Sequence, residues 1–368
     1  MAGLNQPHVA IACGGTGGHF FPGVAVAREL TERGARVTLW VSEKGIDQQA
    51  VATVPEFVHE QLPVIGFSLR HPFRFLSGLR KALKLTKERF AADPPRAVLA
   101  MGGFTSAAPV WSARSVKAKT FLHESNAVPG RANRFLAHRV DGVFVGLKAA
   151  REQFSHPRVI LSGTPVRPVF RNMDRSECRC RLGLNPDRLT VLVTGGSQGA
   201  RGLNHLVTGS LKSVQKAQWI HLSGSHDEAE VKAAYRTAGI DALVYSFLED
   251  MPAALGAADL VVSRAGASSL AESSAAGCPA VLVPLPSAAD DHQRANAAAA
   301  VSAGGAKMLD QDQTDSNELA VIINRILNDP DQRQDMAAAM KSLDWPQAVS
   351  TIAGHLMEAC EEATLDSL

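Results

Sequence analysis

Val9-Ala10-Ile11-Ala12-Cys13-Gly14-Gly15-Thr16-Gly17-Gly18-His19 decides the fold: an apolar run, a glycine turn, then a stretch of helical character. The same order returns at Val191-Leu192-Val193-Thr194-Gly195-Gly196-Ser197-Gln198-Gly199-Ala200. Strand, glycine turn and helix in succession form a geometry for anions. Glycines let the backbone approach a bulky ligand, and the first N–H groups of the helix, at the positive end of its dipole, stabilise negative charge. Neither turn has the G-x-G-x-x-G spacing of a dinucleotide site or the Lys-Ser/Thr ending of a P-loop, so each alone is equally an anion seat or a tight turn. The two differ in what they carry. The first ends in His19, a possible base, whereas the second offers Ser, Gln and backbone N–H groups.

Outward from the first turn, apolar runs at 37–41, 97–101, 120–123, 142–145 and 159–161 alternate with helical stretches. The pattern restarts at Thr190 and continues through 218–222, 243–247, 260–263 and 280–284. Such alternation predicts parallel sheets wrapped by helices. The expected fold class is α/β, with two Rossmann-like doubly wound domains facing across a cleft. Ser162-Gly163-Thr164-Pro165-Val166-Arg167-Pro168 reads as the linker, because two prolines interrupt any regular element. A second break falls at Asp344-Trp345-Pro346. The expected domains are therefore 1–162 and 163–345, with a last helix, 346–368, packing back on the first. Ligands of open α/β sheets bind beyond the carboxyl ends of the strands, which would set the two glycine turns on opposite walls of the cleft.

A chain of 368 residues, 45% hydrophobic and 20% charged, has the composition of a soluble globular protein of about two domains. No run of about 18 apolar residues suggests a spanning helix, and the start lacks the pattern of a signal peptide, so the chain is expected to stay in the cytosol. Cys13, Cys178, Cys180, Cys278 and Cys360 are odd in number and lack CxxC spacing, which indicates neither a disulfide framework nor a zinc site. A net charge of +2 does not indicate nucleic acid.

The charge is unevenly spread. Between Phe67 and Phe90, Arg70, Arg74, Arg80, Lys81, Lys84, Lys87 and Arg89 stand against one acid, Glu88. At about 100° per residue, Leu69, Phe73, Leu76, Leu79 and Leu83 share one helical face, with Arg70, Arg74, Lys81 and Lys84 on the adjoining side. Basic amphipathic helices of this type lie on anionic membranes, each cation contributing about 1 kcal/mol. The alternative is a packed surface helix with solvated lysines, and Pro72 and Gly78 weaken a single continuous helix.

Further polar segments follow predicted strands: Met101-Gly102-Gly103-Phe104, His123-Glu124-Ser125-Asn126, Ser263-Arg264-Ala265-Gly266-Ala267-Ser268-Ser269-Leu270-Ala271-Glu272 and Asp290-Asp291-His292-Gln293-Arg294-Ala295-Asn296. Glu272, early in its helix, is placed either to accept from ribose hydroxyls or to serve the helix dipole. The 290–296 cluster is either a sugar-hydroxyl site or an ordinary helix start. The loops 101–106 and 123–126 are expected to face the cleft, with His123 as a satisfied core or supporting group. His19 has the stronger case, because a helix start lowers the imidazole pKa and favours the neutral form that a general base needs. Asp310, Asp312 and Asp315 read as a polar loop before a helix, so no protein-held metal and no cofactor are expected.

Taken together, GGTGGH (14–19), GGF (102–104), HESN (123–126), GTPVR (163–167), GGSQGA (195–200), SRAGASSLAE (263–272) and DDHQRANA (290–297) resemble the MurG family in order and spacing across nearly the whole chain. Members are peptidoglycan glycosyltransferases that move N-acetylglucosamine from UDP-GlcNAc to the membrane carrier lipid I. The resemblance implies a GT-B architecture with acceptor on the N-terminal domain and UDP-sugar on the C-terminal one, and an inverting reaction. It implies His19 as the base for the C4 hydroxyl of N-acetylmuramic acid. For UDP-GlcNAc it implies Ser197, Gln198 and Arg167 at the diphosphate, Glu272 at the ribose and Leu248 at the uracil. Ala267, His292, Gln293 and Asn126 would surround the sugar, and Thr16, Gly17 and Gly18 also belong to this set. Gly14, Gly15, Gly18, Gly103 and Phe104 would form the acceptor diphosphate side, which Thr16 also lines. The implied partners are UDP-GlcNAc, lipid I and an anionic membrane surface, with the enzyme peripheral on the cytoplasmic side of the inner membrane.

Three positions depart from the family pattern: Thr164 where Asn is usual, Ser125 where Gln is common and Phe104 where Tyr is common. Two alternatives share the architecture. A UDP-GlcNAc epimerase would not need the 67–90 membrane face, and a non-enzymatic UDP-sugar-binding protein would not need His19.

Overall fold

The computed structural model describes residues 6–15, 17–43, 45–63, 72–196, 199–214 and 217–365. Contacts divide the chain into two compact units, one formed by Met1–Arg167 with Trp345–Leu368 and the other by Pro168–Asp344.

Strands of the first unit are β1 (His8–Ala12), β2 (Arg36–Ser42), β3 (Val58–Leu62), β4 (Ala97–Ala100), β5 (Lys119–Glu124), β6 (Gly142–Val145) and β7 (Val159–Leu161). Among the described residues they form one parallel sheet in the order β3-β2-β1-β4-β5-β6-β7. Its helices are α1 (Gly17–Glu32), α2 (Gly45–Ala52), α3 (Pro72–Ala92), α4 (Ala107–Ala113), α5 (Arg131–Ala137) and α6 (Lys148–Arg151). The β1 side chains are all buried, as befits a central strand covered on both faces.

In the second unit, α7 (Arg175–Arg181) precedes β8 (Leu189–Thr194), α8 (Arg201–Ser210), β9 (Ala217–Leu222), α9 (Glu228–Ala238), β10 (Ala242–Tyr245) and α10 (Met251–Ala257). There follow β11 (Leu260–Ser263), α11 (Ala267–Ala276), β12 (Ala280–Leu282), α12 (His292–Ala303), β13 (Ala306–Met308), α13 (Ser316–Asn328) and α14 (Pro330–Lys341). The order of this parallel sheet is β10-β9-β8-β11-β12-β13. In both sheets the strand order reverses beside the first strand, between β1 and β4 and between β8 and β11. Each glycine turn leaves that strand at its carboxyl end, the position where doubly wound sheets bind ligands.

The last helix, α15 (Ala348–Leu365), belongs to the first unit. Its Ile352, Ala353, Leu356, Ala359 and Cys360 are buried in one core with Phe20, Val24 and Ala27 of α1. The two passages of chain between the units meet inside the first unit. A Cβ added to Gly163 would lie 2.2 Å from Trp345 Cβ, so this approach requires glycine. The 163–167 stretch therefore stays with the first unit, and the units divide after Arg167 rather than at residue 162.

The edge strands β3 and β13 are additional to the apolar runs of the sequence. β3 is mostly exposed and β13 has one exposed and one half-buried position, so neither shows a buried apolar run. The segment expected to run to Phe247 stops as a strand at Tyr245, and Phe247 is exposed. Despite Pro72 and Gly78, α3 is one continuous helix: Pro72 is its first residue, where a missing N–H costs nothing. The five cysteines are free thiols, and Cys180 is exposed.

Candidate active site

His19 is the third residue of α1, reached through the first glycine turn. Two neighbouring segments fix that turn. On one side a Cβ on Gly14 would lie 2.5 Å from Ser42 N, at the end of β2. On the other, Thr105 Oγ1 donates to the Gly14 carbonyl at 2.9 Å. The loop after β4 then closes on the imidazole. A Cβ on Gly102 would stand 3.1 Å from His19 Nε2, and one on Gly103 would stand 3.2 Å from its Cε1. Both glycines have positive φ, +110° and +76°. The GGF string thus owes its glycines to the histidine they enclose. Phe104 lies against the turn, 3.2 Å from a Cβ on Gly15.

Burial is the largest influence on His19 and lowers its pKa, while Glu124 and Asp47 push the other way. Desolvation thus favours the neutral imidazole. His123 is structural: its Nε2 bonds the Gly163 carbonyl at 3.0 Å, and Ser125 Oγ lies 3.3 Å from its Nδ1. Burial pulls its pKa down to about 4.

Two buried carboxylates organise this site, and neither role was visible in sequence. Asp47, in the first turn of α2, accepts at Oδ2 from Gly15 N (2.7 Å), Ser42 N (2.9 Å) and Ser42 Oγ (2.5 Å). The Gly15 N–H is therefore committed to a protein carboxylate, which corrects the reading of this glycine as an open anion donor. Glu124, 3% exposed, accepts from Asn126 N (2.8 Å) and Nδ2 (2.9 Å), Gly130 N (2.9 Å) and Asn133 Nδ2 (2.8 Å). It pins the 126–133 loop, and Asn133 in turn lies within 3.0 Å of a Cβ on Gly102. Asp47 carries only the signal of an ordinary first-turn acid, and its partner Gly15 is distant in sequence.

In the second unit, helices that follow the edge strands have carboxylate caps. Asp250 accepts from Ala253 N at the start of α10, and Asp315 accepts from Glu318 N at the start of α13. The helices after the inner strands, α8, α9, α11 and α12, begin with no side-chain cap bond, and of these α8 and α11 follow the central strands β8 and β11 and start after Ala200 and Gly266, which carry no capping group. A capping carboxylate would occupy the seat of an anion; its omission leaves the first N–H groups and the dipole of these two helices for a ligand.

The remaining predicted residues fall as follows. Ala267 is the first residue of α11 and Glu272 lies in its second turn. Leu248, half-buried, is in the loop between β10 and α10. His292 and Gln293 open α12, and Gln293 Oε1 accepts from Leu285 N at 2.9 Å. Arg167 stacks 5.2 Å from the Phe21 ring of α1, within the first unit. Asn126 gives its side-chain N–H to Glu124. Gly17 and Gly18 start α1. Thr16, Ser197, Gln198, Leu69 and Arg70 lie outside the described residues. Asp310 pairs with Arg294 at 2.8 Å, and among the described residues no group of three or more His, Cys, Asp or Glu side chains is arranged to hold a metal.

On α3, Phe73 is 85% exposed and Leu76 48%, with Arg74, Lys81 and Lys84 exposed beside them and Leu79 half-buried. Leu83 departs from the expected outer face. It packs against the core formed by Trp40, Ala82 and Phe90, because α3 turns its second half onto the sheet.

Two doubly wound units of this order are the architecture of a GT-B glycosyltransferase. The chain matches the glycosyltransferase family 28 N-terminal domain over residues 9–145 and the family 28 C-terminal domain over residues 190–352. It is 34% identical, over 94% of its length and 93% of the relative's, to the UDP-N-acetylglucosamine--N-acetylmuramyl-(pentapeptide) pyrophosphoryl-undecaprenol N-acetylglucosamine transferase of Mesorhizobium japonicum. The crystal structure of Acinetobacter baumannii MurG superposes with a TM-score of 0.74 at 27% identity, covering 96% of this chain and 100% of that one. A putative UDP-N-acetylglucosamine 2-epimerase from Listeria monocytogenes gives a TM-score of 0.72 at 15% identity over 98% of each chain, a likeness of fold alone. The chain belongs to glycosyltransferase family 28 and, within it, to the MurG family.

Proposed function

We propose that the protein transfers N-acetylglucosamine from UDP-GlcNAc to the C4 hydroxyl of N-acetylmuramic acid in lipid I, with inversion at the anomeric carbon. The observation that carries this reading is half-buried His19 at the end of the first glycine turn, with Gly102 and Gly103 against its ring. In the displacement, the acceptor oxygen forms a bond to the anomeric carbon as the bond from that carbon to the UDP oxygen breaks. The electron pair leaves with the diphosphate, and the hydroxyl proton passes to the His19 imidazole. A positioned base contributes about 10²- to 10⁴-fold. Preorganised charge on the leaving diphosphate contributes a larger share, from the α8 start, Ser197, Gln198 and Arg167.

Glu272 holds the ribose and Leu248 meets the uracil, while Ala267, His292, Gln293 and Asn126 surround the sugar. The acceptor diphosphate rests on the side of Gly14, Gly15, Thr16, Gly18, Gly103 and Phe104, with the Gly15 N–H itself held by Asp47. The exposed part of α3 seats the enzyme as a peripheral protein on the cytoplasmic face of the inner membrane, where a polyprenyl-linked acceptor is held. The product serves peptidoglycan synthesis and, through it, wall growth, cell shape and division. Incubation with radiolabelled UDP-GlcNAc and a lipid I analogue tests the reading. Label in the lipid fraction is expected; a folded protein that leaves all label in UDP-sugar or free sugar contradicts it.

A further inference from the structure

Unit 2 buries two guanidinium groups in different ways. Arg179, 6% exposed, donates from Nη2 to the Asp259 carboxylate at 2.5 Å and from Nε and Nη1 to the carbonyls of Ala257 and Pro186. Its charge is matched inside the fold. Arg264, 7% exposed, finds only neutral acceptors. Its Nη1 donates to the carbonyls of Val283 (2.9 Å) and Pro284 (3.3 Å), and its Nη2 to Gln311 Oε1 (2.6 Å). Its Nε is buried without a hydrogen-bond partner, and no carboxylate among the described residues forms an ion pair with it. A buried charge without a counter-ion is expensive, and guanidinium does not escape by losing its proton.

The location of this charge suggests its use. Arg264 follows β11, and its backbone N–H donates at 3.3 Å to the carbonyl of Thr194, the residue before Gly195. Gln311, which takes the Nη2 bond, reaches α8: a Cβ on Gly202 would lie 2.5 Å from Gln311 Oε1. The backbone of Arg264 is thus tied to β8 at Thr194, and its guanidinium reaches the start of α8 through Gln311.

We propose that Arg264 is the built-in counter-charge of the donor diphosphate, a positioning residue that braces the start of α8 through Gln311 and sets a positive field beneath the second glycine turn. This rests on the reading that the second unit binds UDP. The diphosphate completes a charge balance that the protein leaves open, and UDP leaving with added negative charge draws more from the same field.

Calorimetric titration of the full-length protein with UDP, UMP and uridine tests this. Arg264→Gln is expected to weaken UDP by at least about tenfold, UMP by less and uridine by less than about threefold, with Arg264→Lys recovering most of the UDP affinity. Equal losses for all three ligands, with no recovery by lysine, would reduce Arg264 to a structural brace and overturn the proposal. If thermal melting shows Arg264→Gln unfolded, Gln311→Glu applies the same test, because it neutralises the guanidinium while leaving it in place. Selective loss of UDP supports the proposal, and equal loss of UDP and uridine overturns it. A folded wild-type protein that binds uridine and UDP equally weakly would instead remove the donor-site reading itself.

Discussion

The two glycine turns each follow the strand at which their sheet's order reverses, and they differ in the sign of the charge buried near them. Beside the first stand buried Asp47 and Glu124, both of which favour a proton on His19. Beneath the second stands buried Arg264 with no carboxylate, at the foot of a helix left uncapped. A negative surround suits a residue that must accept a proton and carry it as imidazolium. A positive surround suits a group that must hold a diphosphate as it gains charge. In the proposed division of roles, the backbone geometry of such a turn admits either an anion or a base, and the sign of the buried charge favours one over the other.

The largest effect expected from breaking this contrast is at His19. His19→Ala should lower turnover by about 10²- to 10⁴-fold in a steady-state transfer assay, and an unchanged rate would remove it from the base role. Next comes the membrane face proposed for α3. Reversing Arg74, Lys81 and Lys84 to Glu should weaken binding to anionic vesicles by about 10²-fold or more at low salt, from about 1 kcal/mol per cation. The difference should shrink as salt rises, and equal binding at all salt concentrations would return α3 to an ordinary surface helix.

The smallest effect is expected at Asp47. Its charge raises the His19 pKa against burial, as does that of Glu124, while His123 faces the same site as a neutral imidazole at neutral pH. Asp47→Asn removes one raising influence, so the pKa falls and the acid limb of the kcat/KM profile moves to lower pH. The plateau drops a few-fold because a weaker base abstracts less well. An acid limb that stays in place would confine Asp47 to holding Gly15.

Much of this arrangement is legible in the chain. Alternating apolar runs give both parallel sheets because their central strands are buried on both faces and leave continuous Val, Ile, Leu and Ala segments. The edge strands β3 and β13 leave no such mark. The motif strings identify the family, yet they do not reveal why each residue is present. Gly102 and Gly103 read as part of a loop on the ligand side, with no sign of the His19 ring that lies against them. Glu124 stands in the HESN string without a role of its own until its four backbone and amide donors are counted into the 126–133 loop. Asp47 and Arg264 act through partners distant in sequence, and spacing carries no information about such contacts. The periodicity of α3 was misleading at Leu83 because a helix that begins in solvent and ends on the sheet has no single buried face along its length.

The division of labour between the turns is tested most directly by UDP affinity measured calorimetrically on two variants of the full-length protein. Gly199→Ala puts a Cβ 2.3 Å from the Ser223 carbonyl oxygen at a φ of +72° and distorts the second turn; His19→Ala alters only the first. The account predicts that Gly199→Ala loses at least about tenfold in UDP affinity while His19→Ala stays within about twofold of wild type. Equal losses, or a loss confined to His19→Ala, would contradict it.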